Sequence, residues 1–265
     1  MPSPALFKTD EDFFAPRQLL GWVGFSLTAG CVNAGAFLAC RNFVSHVTGM
    51  TTNLALDVGR PTLALEYGLV LAAFILGAAA ATLASETLGG ARREGAFALP
   101  VLLSFLSLVG VAAAGRIGAF GAFGAPASET GGQADFAMLG TLAASMGLLN
   151  ASVALATGNA IRSTHLTGPA TDLAANLVRG VLGSGKEAQR ERRWGLLRAA
   201  KLAAFATGGV LAVQLAGRLQ YDIFLVAAFV LIVALGLTLS PGYEGLANAR
   251  AAREARGDAS TEGRV

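Results

Sequence analysis

The chain has 265 residues, of which 54% are apolar and only 14% charged, against roughly 25% charged in an ordinary soluble domain. That composition excludes a water-soluble globule. Twenty Lys and Arg against 17 Asp and Glu leave a net charge of +3, so the basic pI needs no nucleic-acid partner to explain it.

Residues 1–17 carry Asp10, Glu11 and Asp12 ahead of the first apolar run, unlike the basic start of a cleaved signal; the segment is expected to stay on as a cytoplasmic lead-in. Six charge-free windows follow, at 18–40, 67–85, 95–115, 136–161, 202–217 and 223–243. A hydrocarbon core about 30 Å thick takes roughly 20 helical residues at 1.5 Å each, and five of the windows hold 19 or more. The fifth holds 16, with Lys201 and Arg218 at its ends expected to snorkel to the headgroups. The fold class is therefore all-α: a polytopic helical membrane protein of six spans in contact with the lipid bilayer. Cys31 and Cys40 lie nine positions apart on the first span, about 13 Å along its axis, too far to bridge. No metal-ligand spacing occurs, and no cofactor or metal is expected.

Orientation follows from the basic residues. With the N-terminus inside, fifteen Lys and Arg fall in cytoplasmic segments and four (Arg41, Arg60, Arg116, Arg218) outside, which puts both termini in the cytoplasm. The chain divides into a lead-in at 1–17, a first membrane repeat at 18–118, a flexible Gly-rich external loop at 119–135, a second repeat at 136–240, and a partly disordered tail at 241–265. The basic segment 179–198 is a candidate surface for anionic lipid.

The two halves resemble each other. Gly30-x-x-Asn33-Ala34 recurs as Gly147-x-x-Asn150-Ala151. The stretch from His46 through Thr48, Gly49, Thr52, Asn53 and Asp57 to Arg60 recurs from His165 through Thr167, Gly168, Thr171, Asp172 and Asn176 to Arg179, with seven of fifteen positions identical and both histidines of the chain included. Ala72-Ala73-Phe74-x-x-Gly77 then matches Ala203-Ala204-Phe205-x-x-Gly208. Three spans per half is an odd number, so the second half is expected to enter the membrane inverted, as in many secondary transporters.

Gly168-Pro169 marks a helix start, matched near Gly49-Met50, and about 11 residues separate each from its Arg. The result is two short half-helices of roughly 16 Å. Their N-termini, Thr48-Gly49 and Thr167-Gly168, are expected to point at each other from opposite faces and to bound one polar cavity suited to an anion. Asn53 and Asp57 share a face with Arg60, and Asp172 and Asn176 with Arg179, one carboxylate near one arginine in each. A purely interfacial pair of helices with its polar face in water is the competing reading. His46 and His165 either bond neighbouring carbonyls or couple protons. Asn33 and Asn150 are expected to face each other across the pseudo-two-fold, and Gly77-x-x-x-Ala81 and Gly208-x-x-x-Ala212 to pack helices. Candidate substrate or ion ligands are thus His46, Thr48, Gly49, Asn53, Asp57, His165, Thr167, Gly168, Asp172, Asn176, Asn33 and Asn150.

Phe43-Val44-Ser45-His46-Val47-Thr48-Gly49, preceded by Gly30-x-x-Asn33-Ala34 and followed by Phe74-x-x-Gly77, resembles the signature of the YoaK-like family of bacterial integral membrane proteins, a domain of unknown function (1275). The likeness spans roughly 18–239. In that family the residue after the first Gly is commonly Asn, where this chain has Met50. The resemblance implies a multi-pass protein of the bacterial inner (plasma) membrane and supplies no substrate. A small-solute transporter or channel, anionic or proton-coupled, fits the repeat best. A non-transporting partner or receptor subunit is the alternative, and an intramembrane enzyme lacks a nucleophile–base pair.

Overall fold

The computed structural model describes residues 5–7, 9–88, 93–125 and 133–240, and all regular structure among them is helical. The helices are α1 (Asp10–Phe14), α2 (Pro16–Cys40), α3 (Val47–Leu56), α4 (Pro61–Leu88), α5 (Arg93–Arg116), α6 (Gln133–Ala156), α7 (Thr167–Leu182), α8 (Gly185–Leu219) and α9 (Ile223–Leu239). Five apolar helical stretches are long enough to cross a membrane; the last, Gly185–Leu239, has 55 residues and is broken at the 3-10 turn Gln220–Asp222 into α8 and α9. This is a polytopic helical membrane protein. The expected tail at 241–265 and the middle of the 119–135 loop lie outside the described residues.

Local chemistry explains the helix limits. Pro16 opens α2 at a position that needs no N–H, and Arg41 closes it in the left-handed conformation at φ 59°. Gly158 and Asn159 adopt the same conformation after α6, at φ 58° and 68°. Arg41 and Gly158 are equivalent in the two repeats, so both first spans of a repeat end by the same reversal.

Helix pairing is set by four glycines. A Cβ on Gly30 of α2 would stand 1.9 Å from the Phe205 carbonyl oxygen of α8, and one on Gly208 of α8 would stand 2.1 Å from that of Leu27. The other half repeats the contact with equivalent residues: Gly147 of α6 meets the Phe74 carbonyl of α4 at 2.1 Å, and Gly77 of α4 meets that of Ala144 at 2.1 Å. Backbones this close admit only glycine, which is how helices gain packing where lipid supplies no hydrophobic drive. Ala81 and Ala212, one turn on from Gly77 and Gly208, are buried as their spacing predicts.

The chain alternates between two ends of the bundle. At one end the Phe7 N–H donates to the Ala156 carbonyl, the Gln18 amide to that of Thr238, and the Lys201 ammonium to that of Arg162. At the other, Arg116 forms a forked pair with Asp222 at 2.6 and 2.7 Å, and Gly124 lies against the Leu38 carbonyl. The core between them contains Trp22, Phe25, Leu142, Met146, Phe224 and Leu231, all fully buried.

One expectation about the ends changes. The described part of the 119–135 loop is packed rather than loose: Phe120 is buried, its carbonyl accepts from the Tyr221 hydroxyl at 3.2 Å, and Phe123 meets the Tyr221 ring edge-on. Apolar side chains inside a Gly-rich stretch supply the anchor that composition alone does not reveal. The lead-in is also docked. Phe7 stacks edge-on against Trp22, Phe13 and Phe14 meet Trp194, and Asp10 pairs with Arg190 at 2.5 Å.

Candidate functional site

Each repeat folds its short helix back along the N-terminal part of the helix that follows. α3 has 10 residues and α7 has 16, so they start at Val47 and Thr167, slightly before the expected glycines. Their difference in length is a sequence insertion. The offset between matching residues rises from 119 at the histidines to 131 at the Ala-Ala-Phe blocks, and the added residues lengthen both arms of the α7–α8 hairpin.

The His-x-Thr-Gly element has a steric cause. The His46 ring lies over the first turn of α3, where a Cβ on Gly49 would be 2.6 Å from its Nδ1; a Cβ on Gly168 would be 3.2 Å from Cε1 of His165. Glycine at that position gives each imidazole its seat. Both rings are exposed on their other face. Thr48 and Thr167 are exposed as well, and neither belongs to the cavity walls described below.

Asn33 and Asn150 hold the loops that carry these histidines. Backbone N–H groups of Val44 and Ser45 and the Ser45 hydroxyl donate to Asn33 Oδ1 at 3.1, 3.2 and 3.2 Å. The Thr164 N–H, equivalent to that of Ser45, donates to Asn150 Oδ1 at 3.2 Å. The expectation that the two amides face each other is therefore replaced: each braces its own half, because the loop leaving the span turns back over the amide and brings unpaired N–H groups to it.

Among the described residues the two helix starts line separate cavities rather than one shared cavity. One, of about 320 Å³, is lined in the first repeat by Phe37, Arg41, His46, Gly49, Asn53 and Tyr67 among others. Its counterpart of about 180 Å³ includes Arg162, His165, Gly168, Asp172, Arg198 and Lys201. No residue lines both. Tyr67 and Arg198 lie ten residues before the crossing glycines Gly77 and Gly208, which is about 15 Å of helix, half of a hydrocarbon core of about 30 Å.

Their polar faces differ. Asn53 and Tyr67 both line the first cavity, and the equivalent pair in the second repeat is the ion pair of Asp172 with Arg198 at 3.1 Å. Asp57 pairs with Arg60 at 3.4 Å, as its spacing predicts. Asp172 takes Arg198 rather than the expected Arg179, because α8 presents its own arginine across the hairpin. Asn176 is buried between α7 and α8, donates to Glu191 and accepts from Arg198. Part of the polar face of α7 thus meets protein, while Thr171, Asp172 and Arg179 stay exposed beside Leu177, Val178, Val181 and Leu182, which are all more than half exposed.

Several wall residues escape a reading by repeats. Lys201 was expected to snorkel, yet it is 3% exposed and donates to the Arg162 carbonyl at 2.6 Å. Trp194, Arg198 and Lys201 fall at i, i+4 and i+7 on α8, a stripe that would have signalled one face. Arg198 lies over the Trp194 ring at 5.6 Å. Other cations of the basic segment are engaged within the protein: Arg190 with Asp10, and Arg192 with the Gly180 carbonyl. Among the described residues no three of His, Cys, Asp and Glu come together in a group that could hold a metal ion.

Comparison with known proteins places the sequence in a family. No curated protein and no solved structure shows significant similarity to the chain. A family model matches residues 22–237, and the chain belongs to the family described as "Protein of unknown function (DUF1275)".

Proposed function

We propose that the protein is a transporter or channel for a small solute in the bacterial plasma membrane, without catalytic activity, assembled from two three-span repeats of inverted topology. The observation that carries the reading is the exchanged crossing: the first span of each half packs on the middle span of the other through equivalent glycines. Neither half closes a core alone, and rocking of one unit against the other is the usual motion of such folds. Inversion is supported by the ends of the bundle, since the start of α2 and the end of α6 lie together where Phe7 meets Ala156. The cytoplasmic assignment of both termini rests on the basic-residue count, and exposed Arg179 and Lys186 are the available anchors for anionic lipid. The separation of the two cavities favours the competing reading, a non-transporting receptor or partner subunit.

Topology is tested by single cysteines at Ala122 and Ser184 in a Cys31/Cys40-free background. An impermeant thiol reagent on intact cells should label the first at least tenfold faster than the second, and equal rates defeat the assignment. Transport is tested by screening small anions, amino acids and metal ions for thermal stabilisation, then loading the stabilising solutes into protein-containing vesicles. Uptake should exceed that of empty vesicles at least tenfold and vanish in Gly168→Leu, whose side chain collides with the His165 seat. Stabilisation without flux overturns transport in favour of the receptor.

A further inference from the structure

The two cavities share a frame and differ in charge. Arg162, Arg198 and Lys201 of the second repeat correspond to Phe43, Tyr67 and Val70 of the first. The last pair is the most informative, because Lys201 and Val70 are both 3% exposed. The fold accepts an apolar side chain at that position, so packing does not require the ammonium. A buried cation is costly unless something compensates it. Here one of its three donors reaches the Arg162 carbonyl, and among the described residues no acidic side chain forms a salt bridge with it. Asp172 is the one carboxylate in the cavity wall, and it is already engaged by Arg198.

The wall therefore carries three cations and one anion, a formal charge of +2 with the histidine neutral. The first turn of α7 adds to it. Gly168 and Pro169 line the same cavity, and no side chain caps the N-terminus of that helix, which leaves backbone N–H groups and the positive end of the helix dipole directed at it.

We propose that this cavity binds a phosphate monoester dianion, with Lys201 as its anchor, Arg162 and Arg198 as flanking donors, and the first turn of α7 as the backbone contact. A phosphate monoester carries about −1.5 to −2 charges near neutral pH, which matches the wall, and a cavity of about 180 Å³ holds the phosphate with a few further heavy atoms. A monocarboxylate, with one charge, leaves the wall under-neutralised. The same chemistry is offered by a free phosphorylated solute and by the headgroup of phosphatidic acid. As a transported substrate the ligand rests on the transport reading; as a bound one it does not.

Full-length protein in neutral detergent, at constant ionic strength, should bind radiolabelled inorganic phosphate saturably and release it to glycerol 3-phosphate. Lys201→Met should weaken binding at least tenfold, and Arg162→Gln several-fold. Arg218→Gln, at the opposite end of α8, should leave it unchanged. In nanodiscs, loss of phosphate binding as phosphatidic acid replaces phosphatidylcholine identifies the lipid as the source, and retention identifies a soluble ligand. Wild-type protein that fails to saturate below about 10 mM phosphate, or equal affinity in wild type, Lys201→Met and Arg162→Gln, overturns the site. Binding without passage of labelled glycerol 3-phosphate into vesicles leaves the site standing and removes transport.

Discussion

Gly30→Ala is expected to destabilise the folded protein by about 1–3 kcal/mol or more, the range for overpacking a filled interior, and Gly147→Ala by a similar amount. The added Cβ would stand 1.9 Å from the Phe205 carbonyl in the first case and 2.1 Å from that of Phe74 in the second. The obstacle is backbone on a facing helix, so relief requires separating two spans rather than turning a side chain. The two sites lie on different helix pairs, and the double variant should lose roughly the sum of the single effects. Gly110→Ala is the internal standard: it lies in α5 with nothing within 4 Å of its Cβ, and alanine there should gain about 0.5–1 kcal/mol of helix stability. Thermal unfolding in detergent, followed by size-exclusion recovery, ranks the three. Equal midpoints for Gly30→Ala and Gly110→Ala would falsify the crossing as the contact that joins the halves.

Asn33→Leu is expected to release the loop that presents His46. The substitution keeps the side chain near its size and removes the acceptor for three donors, one of them the N–H of the fully buried Val44. Each buried donor left without a partner costs about 1–3 kcal/mol. Asn33→Asp retains an acceptor oxygen and should recover most of the loss. Asn150→Leu removes the acceptor of the Thr164 N–H and should weaken the second repeat less. Trypsin cleavage at the exposed Arg41 reports the first loop directly. It should accelerate in Asn33→Leu and stay near the wild-type rate in Asn33→Asp, so matched cleavage in the two variants contradicts the bracing role.

These experiments also separate the two levels at which this protein can be read. Charge-free windows reveal membrane helices because solvation by lipid acts on each residue independently of its neighbours in space. Duplication is legible for a similar reason: Gly30-x-x-Asn33 and Gly147-x-x-Asn150 are local patterns, and so are the glycines that prepare a close helix contact. Partners are another matter. That Gly30 meets Phe205 while Gly147 meets Phe74 depends on two surfaces fitting across the molecule, and a glycine carries no label for the helix it will touch. The same holds for Asn33, whose spacing from Asn150 suggested a symmetric meeting at the centre; the preceding span ends in a left-handed reversal at Arg41, and that turn brings Val44 and Ser45 to the amide first. Lys201 shows the difference most clearly. At the edge of an apolar window it reads as a snorkelling residue, but the water it would reach is displaced by the Arg162 loop and the α7–α8 hairpin, which leave the ammonium buried against a carbonyl. Helix identity is a property of transfer from water to lipid and is written residue by residue. The charge and shape of the cavities arise from which segments exclude water from one another, and only the assembled bundle decides that.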